Sequence, residues 1–249
     1  SEAGVSLRMS SDFFESAWTK KAQEGLRGRV EVNPPNDLFA FGFDEVHLIE
    51  SGKWSQAIVA NDDESRVQRE RGAVRVGFNG GLANTIVAEF FNLPSGNEHR
   101  VIDLTDFSAF PPGEGVVSTR LSDEPRRAGF SIQDNNGMAR YGFVPPEDRD
   151  YLYFEFRLDI EGEKIFDDMA VVGSFNNWTP SYDWRLVFDD KSRRYLAQGW
   201  VSRAVHEYEY VSGKWDIDRG ILTRPEATLI EGNSVYASQL WYALAYYRD

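Results

Sequence analysis

The stretch Tyr151–Ile160, which reads YLYFEFRLDI, decides the fold class because large apolar residues recur at every second position. Successive side chains of an extended strand point to opposite faces, so this spacing gathers the apolar residues on one face. One face comprises Leu152, Phe154, Phe156, Leu158 and Ile160, and the other comprises Tyr151, Tyr153, Glu155, Arg157 and Asp159. The pattern is typical of a strand that is buried on one face.

Similar short runs recur along the chain and predict further strands. The turn sequences Asp134–Gly137 and Asp189–Ser192 predict hairpins, and Ser212–Lys214 predicts an exposed loop. Helical periodicity is scarce, and only Phe13–Gly25 and Pro225–Glu231 could hold a short helical turn. The further predicted strands are Phe39–Ile49, Val74–Phe78, Thr85–Phe91, Val116–Leu121, Gly129–Gln133, Arg140–Val144, Met169–Val172, Trp184–Phe188, Arg194–Gln198, Val205–Val211 and Leu240–Arg248.

The arrangement of these strands predicts sandwiches. Strands without intervening helices favour antiparallel sheets packed face to face over a parallel sheet. The segment VPPEDRD, residues 144–150, joins two prolines that end a strand to charged residues typical of a linker. We therefore predict an all-β protein with two β-sandwich domains in tandem, residues 1–146 and 147–249.

The charge balance excludes some classes of partner. The chain has 27 Lys and Arg against 40 Asp and Glu, a formal net charge of −13. Nucleic acid or an anionic membrane surface would require a basic stripe, so we expect neither as a partner. The acidity serves solubility or forms an acidic patch for a basic partner. There is no cysteine, and no apolar run reaches the ~18 residues of a membrane span, so we expect no direct membrane insertion.

The chain lacks the sequence patterns of common catalytic sites, such as a nucleophile elbow, a phosphate loop or a zinc-protease helix. Asp216–Gly220 has part of the pattern of a calcium loop but not its length or closing glutamate, so a turn is preferred. Glu207 and Glu209 would share one face of a strand. Such a pair could serve glycoside hydrolysis, although a solvated strand face is the preferred interpretation. We expect no enzymatic activity, no cofactor and no metal site.

Two charged residues follow the turn at Gly96-Asn97. Alternation places Glu98 and Arg100 on the same face of the chain, where they could pair. The pair would either pin the loop or meet a partner. Because an exposed ion pair contributes less than about 1 kcal/mol, a stabilising role requires partial burial.

The segment Val171–Trp178, VVGSFNNW, combines a strand, a Gly-Ser turn and an aromatic residue in a loop. It resembles the glycogen-binding modules of the early-set immunoglobulin-like class, which implies an immunoglobulin-like sandwich. In those modules a loop Trp can stack on sugar rings. The resemblance implies this role for Trp178, with Asn176, Asn177 and Trp184 as further sugar contacts. Packing of Trp178 at the rim of the sandwich is the alternative.

A wider resemblance extends over nearly the whole chain and depends on short segments that occur in a fixed order. These landmark segments are Gly52–Ile58, Gly96–Asp103, Asp123–Arg126, Asp134–Gly137, Asp150-Tyr151, Gly173 with Trp178, and Glu231–Asn233 leading to Tyr246–Arg248. In them the chain resembles the C-terminal two-thirds of the plug protein family of the bacterial type IX secretion system. It departs from the family at Trp200–Tyr210, where the family has a tyrosine-rich strand. The family's N-terminal sandwich has no counterpart here, which indicates a fragment or a divergent member.

The plug-family resemblance implies a non-catalytic periplasmic protein, peripheral to the outer membrane. It would close the periplasmic mouth of the large outer-membrane β-barrel translocon until a substrate shuttle replaces it. Loops at the ends of sandwiches would supply contact surface, and aromatic and Arg residues are the usual anchors. Packing in the core is the alternative for each Trp. The candidate protein-binding residues are Trp178, Tyr182, Trp184, Trp200 and Trp215, which lie in or beside predicted loops, with Glu98 and Arg100.

Overall fold

The computed structural model describes residues 4–15, 22–33, 43–50, 52–61, 73–79, 85–111, 113, 115–126, 137–141, 151–234 and 237–247. It confirms the predicted all-β sandwich class. The described strands are β1 (Gly4–Glu15), β2 (Ala22–Asn33), β3 (Phe43–Glu50), β4 (Ile58–Asn61), β5 (Ala73–Asn79), β6 (Thr85–Pro94), β7 (Arg100–Asp103), β8 (Val116–Ser118), β9 (Tyr151–Leu158), β10 (Met169–Gly173), β11 (Val187–Asp189), β12 (Arg194–Ser202), β13 (Val205–Asp216), β14 (Ile221–Glu226) and β15 (Trp241–Tyr247). The described helical segments are two 3-10 turns, Trp54–Gln56 and Tyr182–Trp184, and one short helix, α1 (Thr228–Glu231).

The chain divides into two compact units. Unit 1 comprises residues 1–95 and 233–249, and unit 2 comprises residues 96–232. Unit 2 therefore lies in sequence between β6 and β15 of unit 1. Among the described residues, no helix has the length and apolarity needed to cross a bilayer.

Unit 1 is a sandwich of two sheets. Its strand orders are β1-β2-β6-β5 and β15-β3-β4. The C-terminal strand β15 completes the smaller sheet by pairing with β3, with Trp241 opposite Glu50. The buried core contains Val30, Val32, Val46, Leu48, Ile58, Ala60, Ile86, Ala88, Phe90 and Leu93.

Unit 2 is also a sandwich of two sheets. One sheet has the order β10-β13-β14, with β7 also paired to β13, and the other has the order β11-β12-β9-β8. The apolar face predicted for β9 lies in the core, where Phe154 and Phe156 contact edge to face at 4.8 Å between ring centroids. The buried core includes Leu152, Phe154, Phe156, Leu158, Met169, Val171, Tyr195, Ala197, Val201, Tyr208, Tyr210 and Ile230.

The division into units differs from the boundary expected between residues 146 and 147. That position lies inside unit 2, and residues 142–150 are outside the described part of the chain. Strand pairing gives the reason: β7 and β8, which precede residue 147, pair with β13 and β9 of unit 2. In turn, β15 pairs with β3 of unit 1.

Several predictions about local structure can be compared with the described elements. The hairpin at Asp189–Ser192 is confirmed, because β11 and β12 pair across it, and α1 lies within Pro225–Glu231 as predicted. Of the predicted helical turn at Phe13–Gly25, residues 13–15 and 22–25 lie in β1 and β2, which pair with each other, and residues 16–21 lie outside the described residues. The prediction of an exposed loop at Ser212–Lys214 is wrong, because these residues form a bulge within β13. The strand at Gly129–Gln133 and the turn residues 134–136 lie outside the described residues.

The pairing pattern predicts which fragment of the chain folds by itself. A fragment of residues 96–232 keeps every strand pair described for unit 2, so it should unfold cooperatively in urea and give a dispersed amide NMR spectrum. A fragment of residues 147–249 lacks β7 and β8 and carries β15 without β3, so it should remain unfolded. A cooperative 147–249 fragment beside an unfolded 96–232 fragment would place the boundary at residue 147.

Candidate functional site

A buried carboxylate fills a gap in the central sheet of unit 2. Two strands share one edge of β13. Strand β7 pairs with its residues up to Tyr208, and β14 pairs with its residues from Ser212 onward. Between these partners the backbone N–H of Tyr210 donates to Oε1 of Glu231 at 2.9 Å. Glu231 is the last residue of α1 and is buried. Its side chain thus takes the place of a missing strand, because a buried N–H needs an acceptor.

Arg100 joins this carboxylate to a second one. Its Nε lies 2.9 and 2.8 Å from the two carboxylate oxygens of Glu231, and its Nη1 lies 3.2 Å from Oδ1 of Asp123. Asp123 also accepts hydrogen bonds from the hydroxyls of Tyr208, at 3.0 Å, and Tyr210, at 2.7 Å. We call these five residues the Arg100 network. The cation lies between two carboxylates, which offsets the cost of burying it.

Burial and ion pairing shift the pKa values of the network in opposing ways. Burial lowers the pKa of Arg100, but the carboxylates of Glu231 and Asp123 outweigh burial and hold that pKa above its ordinary value. Burial raises the pKa of Glu231, against the opposing effect of Arg100. Burial and then Asp123 raise the pKa of Tyr208 and Tyr210 well above the ordinary value. Both tyrosines are therefore neutral donors to Asp123 over the physiological pH range.

The segment before Arg100 is fixed to the same framework. The side chain of Asn97 donates to the backbone oxygen of Glu231 at 2.7 Å and accepts from the N–H of Glu98 at 2.9 Å. The guanidinium of Arg126 donates to the backbone oxygen of Glu98. Both predicted binding residues of this segment, Glu98 and Arg100, are buried, and Arg100 forms ion pairs with Glu231 and Asp123. The segment is a structural brace in this fold, not an exposed contact.

Trp178 also belongs to the interior. Its side chain is 1% exposed, its indole N–H donates to the backbone oxygen of Gly137 at 2.8 Å, and its ring lies 4.5 Å from that of His99.

Glu207, which is 1% exposed, accepts from the N–H of Gly137 and lies 3.3 Å from Nδ1 of His99. The prediction that Glu207 and Glu209 form a solvated face is wrong. Both are buried because β13 is a central strand with partners on both sides.

The arrangement around Trp178 disfavours the sugar-binding interpretation. Its buried ring has no free face on which a pyranose could stack. The side chain of Asn176 binds the backbone of its own turn, accepting from the N–H of Gly173 at 2.9 Å and donating to the oxygen of Val171 at 3.1 Å. Trp184 is half-buried and packs against Phe175 at 4.7 Å between ring centroids.

Neighbouring Asn177 and Trp178 both have left-handed backbone angles, with φ values of 52° and 57°. Asn177 is exposed at this turn. The turn therefore directs the indole of Trp178 inward and leaves Asn177 at the surface, which favours the alternative that Trp178 packs at the rim of the sandwich over a contact with sugar.

Trp200 is the predicted anchor that remains most exposed. It lies within β12, not in a loop, and its side chain is 64% exposed. Tyr153 of β9 is directly opposite, with 5.2 Å between the ring centroids, and Val116 of β8 is opposite Tyr153 on the other side. Tyr151 is the next exposed aromatic residue along β9. We call Val116, Tyr151, Tyr153 and Trp200 the tryptophan face. It is an apolar patch on the outer surface of a sheet.

Tyr182 and Trp215 form a second aromatic pair in unit 2. Their rings meet edge to face at 5.2 Å, and the guanidinium of Arg185 lies 4.2 Å from the ring centroid of Tyr182. Tyr182 is 43% exposed and Trp215 is half-buried. Both line a cavity of about 590 Å³. The structure thus brings two of the predicted residues together, whereas Trp200 lies on the other sheet of the sandwich.

Sequence reasoning missed the neighbours of Trp200 and the role of Glu231. The signal for Tyr151 and Tyr153 was present in the alternation of β9, which placed both on the outer face. No local pattern pairs Glu231 with Arg100, because 131 residues separate them along the chain. The only signal for Glu231 was its place in a landmark segment.

The fold and the site define a β-sandwich protein with a buried ionic framework and exposed aromatic surfaces. No protein-family model matches the chain, and no curated protein matches it. Among solved structures, a hypothetical protein from Parabacteroides merdae ATCC 43184 is similar, with a TM-score of 0.68 and 15% sequence identity. The match covers 98% of this chain and 61% of that chain. At this identity the similarity shows a shared fold alone.

Breaking the ion pair between Arg100 and Glu231 should cause a large loss of stability. In Glu231→Gln, the Arg100 cation loses its closest carboxylate while it stays buried, so the free energy of unfolding should fall by about 3 kcal/mol. Glu163→Gln is the matched control, because Glu163 pairs with Arg193 at 3.5 Å on the surface and should change stability by less than about 1 kcal/mol. Urea titration measures both, and equal effects would contradict a structural role for the network.

The raised pKa values of Tyr208 and Tyr210 predict loss of stability in alkali. Their contribution is fully present below about pH 10, where tyrosine ionises in the unfolded chain, and is lost as the pH rises toward the folded-state pKa. In the double variant Tyr208→Phe/Tyr210→Phe, the free energy of unfolding should therefore fall less steeply above about pH 10 than in the wild type. Urea titrations at several pH values compare the two slopes, and parallel slopes would contradict the assignment.

Proposed function

We propose that the chain is a non-catalytic binding protein that plugs the periplasmic mouth of the type IX secretion outer-membrane translocon. In this proposal it is periplasmic, peripheral to the outer membrane, and bound to the translocon through unit 2. The proposal depends on the plug-family resemblance, and its structural support comes from where the landmark segments lie.

The observation that carries the proposal is the convergence of landmark segments that are far apart in sequence. Gly96–Asp103 supplies Arg100, Asp123–Arg126 supplies Asp123, and Glu231–Asn233 supplies Glu231, all to the Arg100 network. Gly137 and Trp178 are joined by a hydrogen bond beside His99. A family that shares this fold would retain together the segments whose side chains contact one another. Their common order in this chain therefore supports the resemblance beyond what any single segment could.

The placement of the carboxylates favours binding over catalysis. Glu207, Glu231 and Asp123 hold fixed hydrogen bonds to neighbouring groups. A catalytic acid or base must reach a substrate and exchange a proton with it. Glu207 and Glu231 are buried and Asp123 is half-buried, and all three are already committed to structural partners, so they are poorly suited to that task.

The tryptophan face is the surface best suited to hold a partner. A few residues contribute most of the binding energy at protein interfaces, and Trp, Tyr and Arg are enriched among them. Trp200 combines high exposure with apolar neighbours on β9 and β8, and the sheet beneath it is fixed by the core of unit 2. The face is thus a rigid anchor that needs little ordering on binding.

Affinity co-purification from the native outer membrane tests the proposal. The tagged full-length protein should recover a very large β-barrel translocon, identified by mass spectrometry. Trp200→Ala should reduce recovery by about tenfold or more, as expected for a central anchor. Trp54→Ala is the matched control, because Trp54 is an exposed tryptophan of unit 1 outside the tryptophan face, and it should leave recovery unchanged.

Three other outcomes would contradict or change the proposal. Recovery of no such translocon would contradict the plug function. Loss of recovery with Trp54→Ala but not with Trp200→Ala would place the contact in unit 1. Retardation of the protein in a glucan-containing gel, abolished by Trp200→Ala, would favour a carbohydrate-binding function in place of the plug function.

A further inference from the structure

Unit 2 contains an open groove beside the Arg100 network, which we call the α1 groove. Its volume is about 1090 Å³, slightly above the roughly 300–1,000 Å³ of small-molecule sites. The described lining comes from Arg100 and residues 124–126, from the loop between β9 and β10, and from α1. The apolar residues of this lining are Pro125, Ile160, Ile165, Phe166, Leu229 and Ile230.

The walls of the groove present apolar side chains to solvent. Ile165, in the loop between β9 and β10, is 59% exposed, and Leu229, in α1, is 38% exposed. Both line the same concave surface, although they belong to different elements. A partner that covers them removes apolar area from water, which favours association. The shape and the exposed apolar residues together are typical of a binding groove.

Hydrogen bonds fix both walls in place. In the loop between β9 and β10, the N–H of Gly162 donates to Oδ1 of Asp159 at 2.8 Å. The hydroxyl of Tyr195 accepts from the N–H of Phe166 and donates to its backbone oxygen, both at 2.8 Å. On the other side, α1 is held by the contact of Glu231 with β13. The groove is therefore preformed, so little ordering is needed when a partner binds.

The described charges at the rim of the groove are carboxylates. Glu124 precedes the turn at Pro125, and Glu161 lies in the loop between β9 and β10. Both residues are exposed. A third carboxylate, that of Asp159, lies 3.4 Å from Nε of Arg194. Two exposed carboxylates thus stand at the rim on separate elements.

The cations of the groove lie deeper. Arg100 is buried between the carboxylates of Glu231 and Asp123, which balance its charge. The side chain of Arg126 is only 11% exposed, and it donates to the backbone oxygen of Glu98. An approaching partner therefore meets the rim carboxylates first. Complementarity favours a cationic partner, and the net charge of −13 on the chain adds attraction at longer range.

We propose that the α1 groove binds a basic peptide segment of a partner protein, in which apolar side chains alternate with Lys or Arg. The apolar side chains contact Ile165 and Leu229, and the basic ones pair with Glu124 and Glu161 at the rim. An acidic segment is disfavoured, because it would meet like charges. The groove shares no residue with the tryptophan face, and this binding does not depend on the proposed plug function.

A fluorescein-labelled peptide, Gly-Lys-Leu-Arg-Ile-Lys-Gly, is a suitable probe because basic and apolar side chains alternate along it. Fluorescence anisotropy with the full chain should show saturable binding. The affinity should fall at least about threefold when NaCl is raised from about 50 mM to about 300 mM, because salt screens exposed charges. A peptide with Glu in place of each Lys and Arg should bind at least about tenfold more weakly.

Two variants test the apolar contacts. Ile165→Ser and Leu229→Ser should each weaken binding of the basic peptide about fivefold or more, because each removes apolar area that the peptide covers. Ile217→Ser is the matched control, because Ile217 is a 73% exposed residue of unit 2 outside the groove, and it should leave the affinity unchanged. The melting temperature of all three variants should stay close to that of the wild type, since the side chains lie at the surface.

A second pair of variants tests the charges. Glu124→Gln removes a rim carboxylate, so it should weaken binding of the basic peptide about twofold to fivefold and reduce the dependence on salt. Asp183→Asn removes an exposed carboxylate of unit 2 outside the groove and should change neither quantity.

Four results would overturn the proposal. One is the absence of saturable binding of the basic peptide, and another is equal affinity for the basic and acidic peptides. Equal effects of Ile165→Ser and Ile217→Ser would place the peptide elsewhere on the acidic surface. Self-association of the chain in sedimentation, abolished by Ile165→Ser and unaffected by the basic peptide, would assign the groove to a second copy of the chain.

Discussion

The framework of unit 2 depends on one buried carboxylate that acts in place of a strand. Strand β13 is longer than either β7 or β14, and the two leave a gap opposite Tyr210. Glu231 fills it by accepting the Tyr210 N–H, and its charge is balanced by Arg100. The position of α1 is fixed by that contact, and the segment Gly96–Arg100 is held against α1 by Asn97. A single side chain thus links a strand, a helix and a loop from distant parts of the sequence.

This arrangement separates the residues that build the protein from those that could meet a partner. Several landmark residues lie in the interior, where Arg100, Glu231 and Trp178 hold hydrogen bonds to distant parts of the chain. The exposed aromatic surface lies instead on β9 and β12, around Trp200. In unit 2 the residues that join distant segments are therefore mostly distinct from those that form the exposed aromatic surface. Surface residues can change while the frame stays the same.

The sequence was most informative where burial is one-sided, as in β9, whose alternation predicted its buried face. It was misleading where tertiary pairing overrides local pattern. Strands β1 and β2 are rich in polar residues and glycine, and they are strands because they pair with each other and with β6. Glu207 has the charge of a surface residue, but its burial depends on Gly137 and His99, which no local pattern places beside it. The ionic framework was unpredictable for the same reason.

The order of the two units along the chain has a consequence for biosynthesis. Strand β3 of unit 1 must wait for β15 until residues 96–232 have been made, which takes roughly 7 to 27 s at about 5–20 residues per second. During that interval β3 has an unpaired edge, and the core of unit 1 lacks Trp241 and Ala243. The strands of unit 2 are contiguous in sequence and are complete before β15 emerges. Unit 2 is therefore completed before unit 1, and β3 is the strand that most needs protection by a chaperone in the meantime.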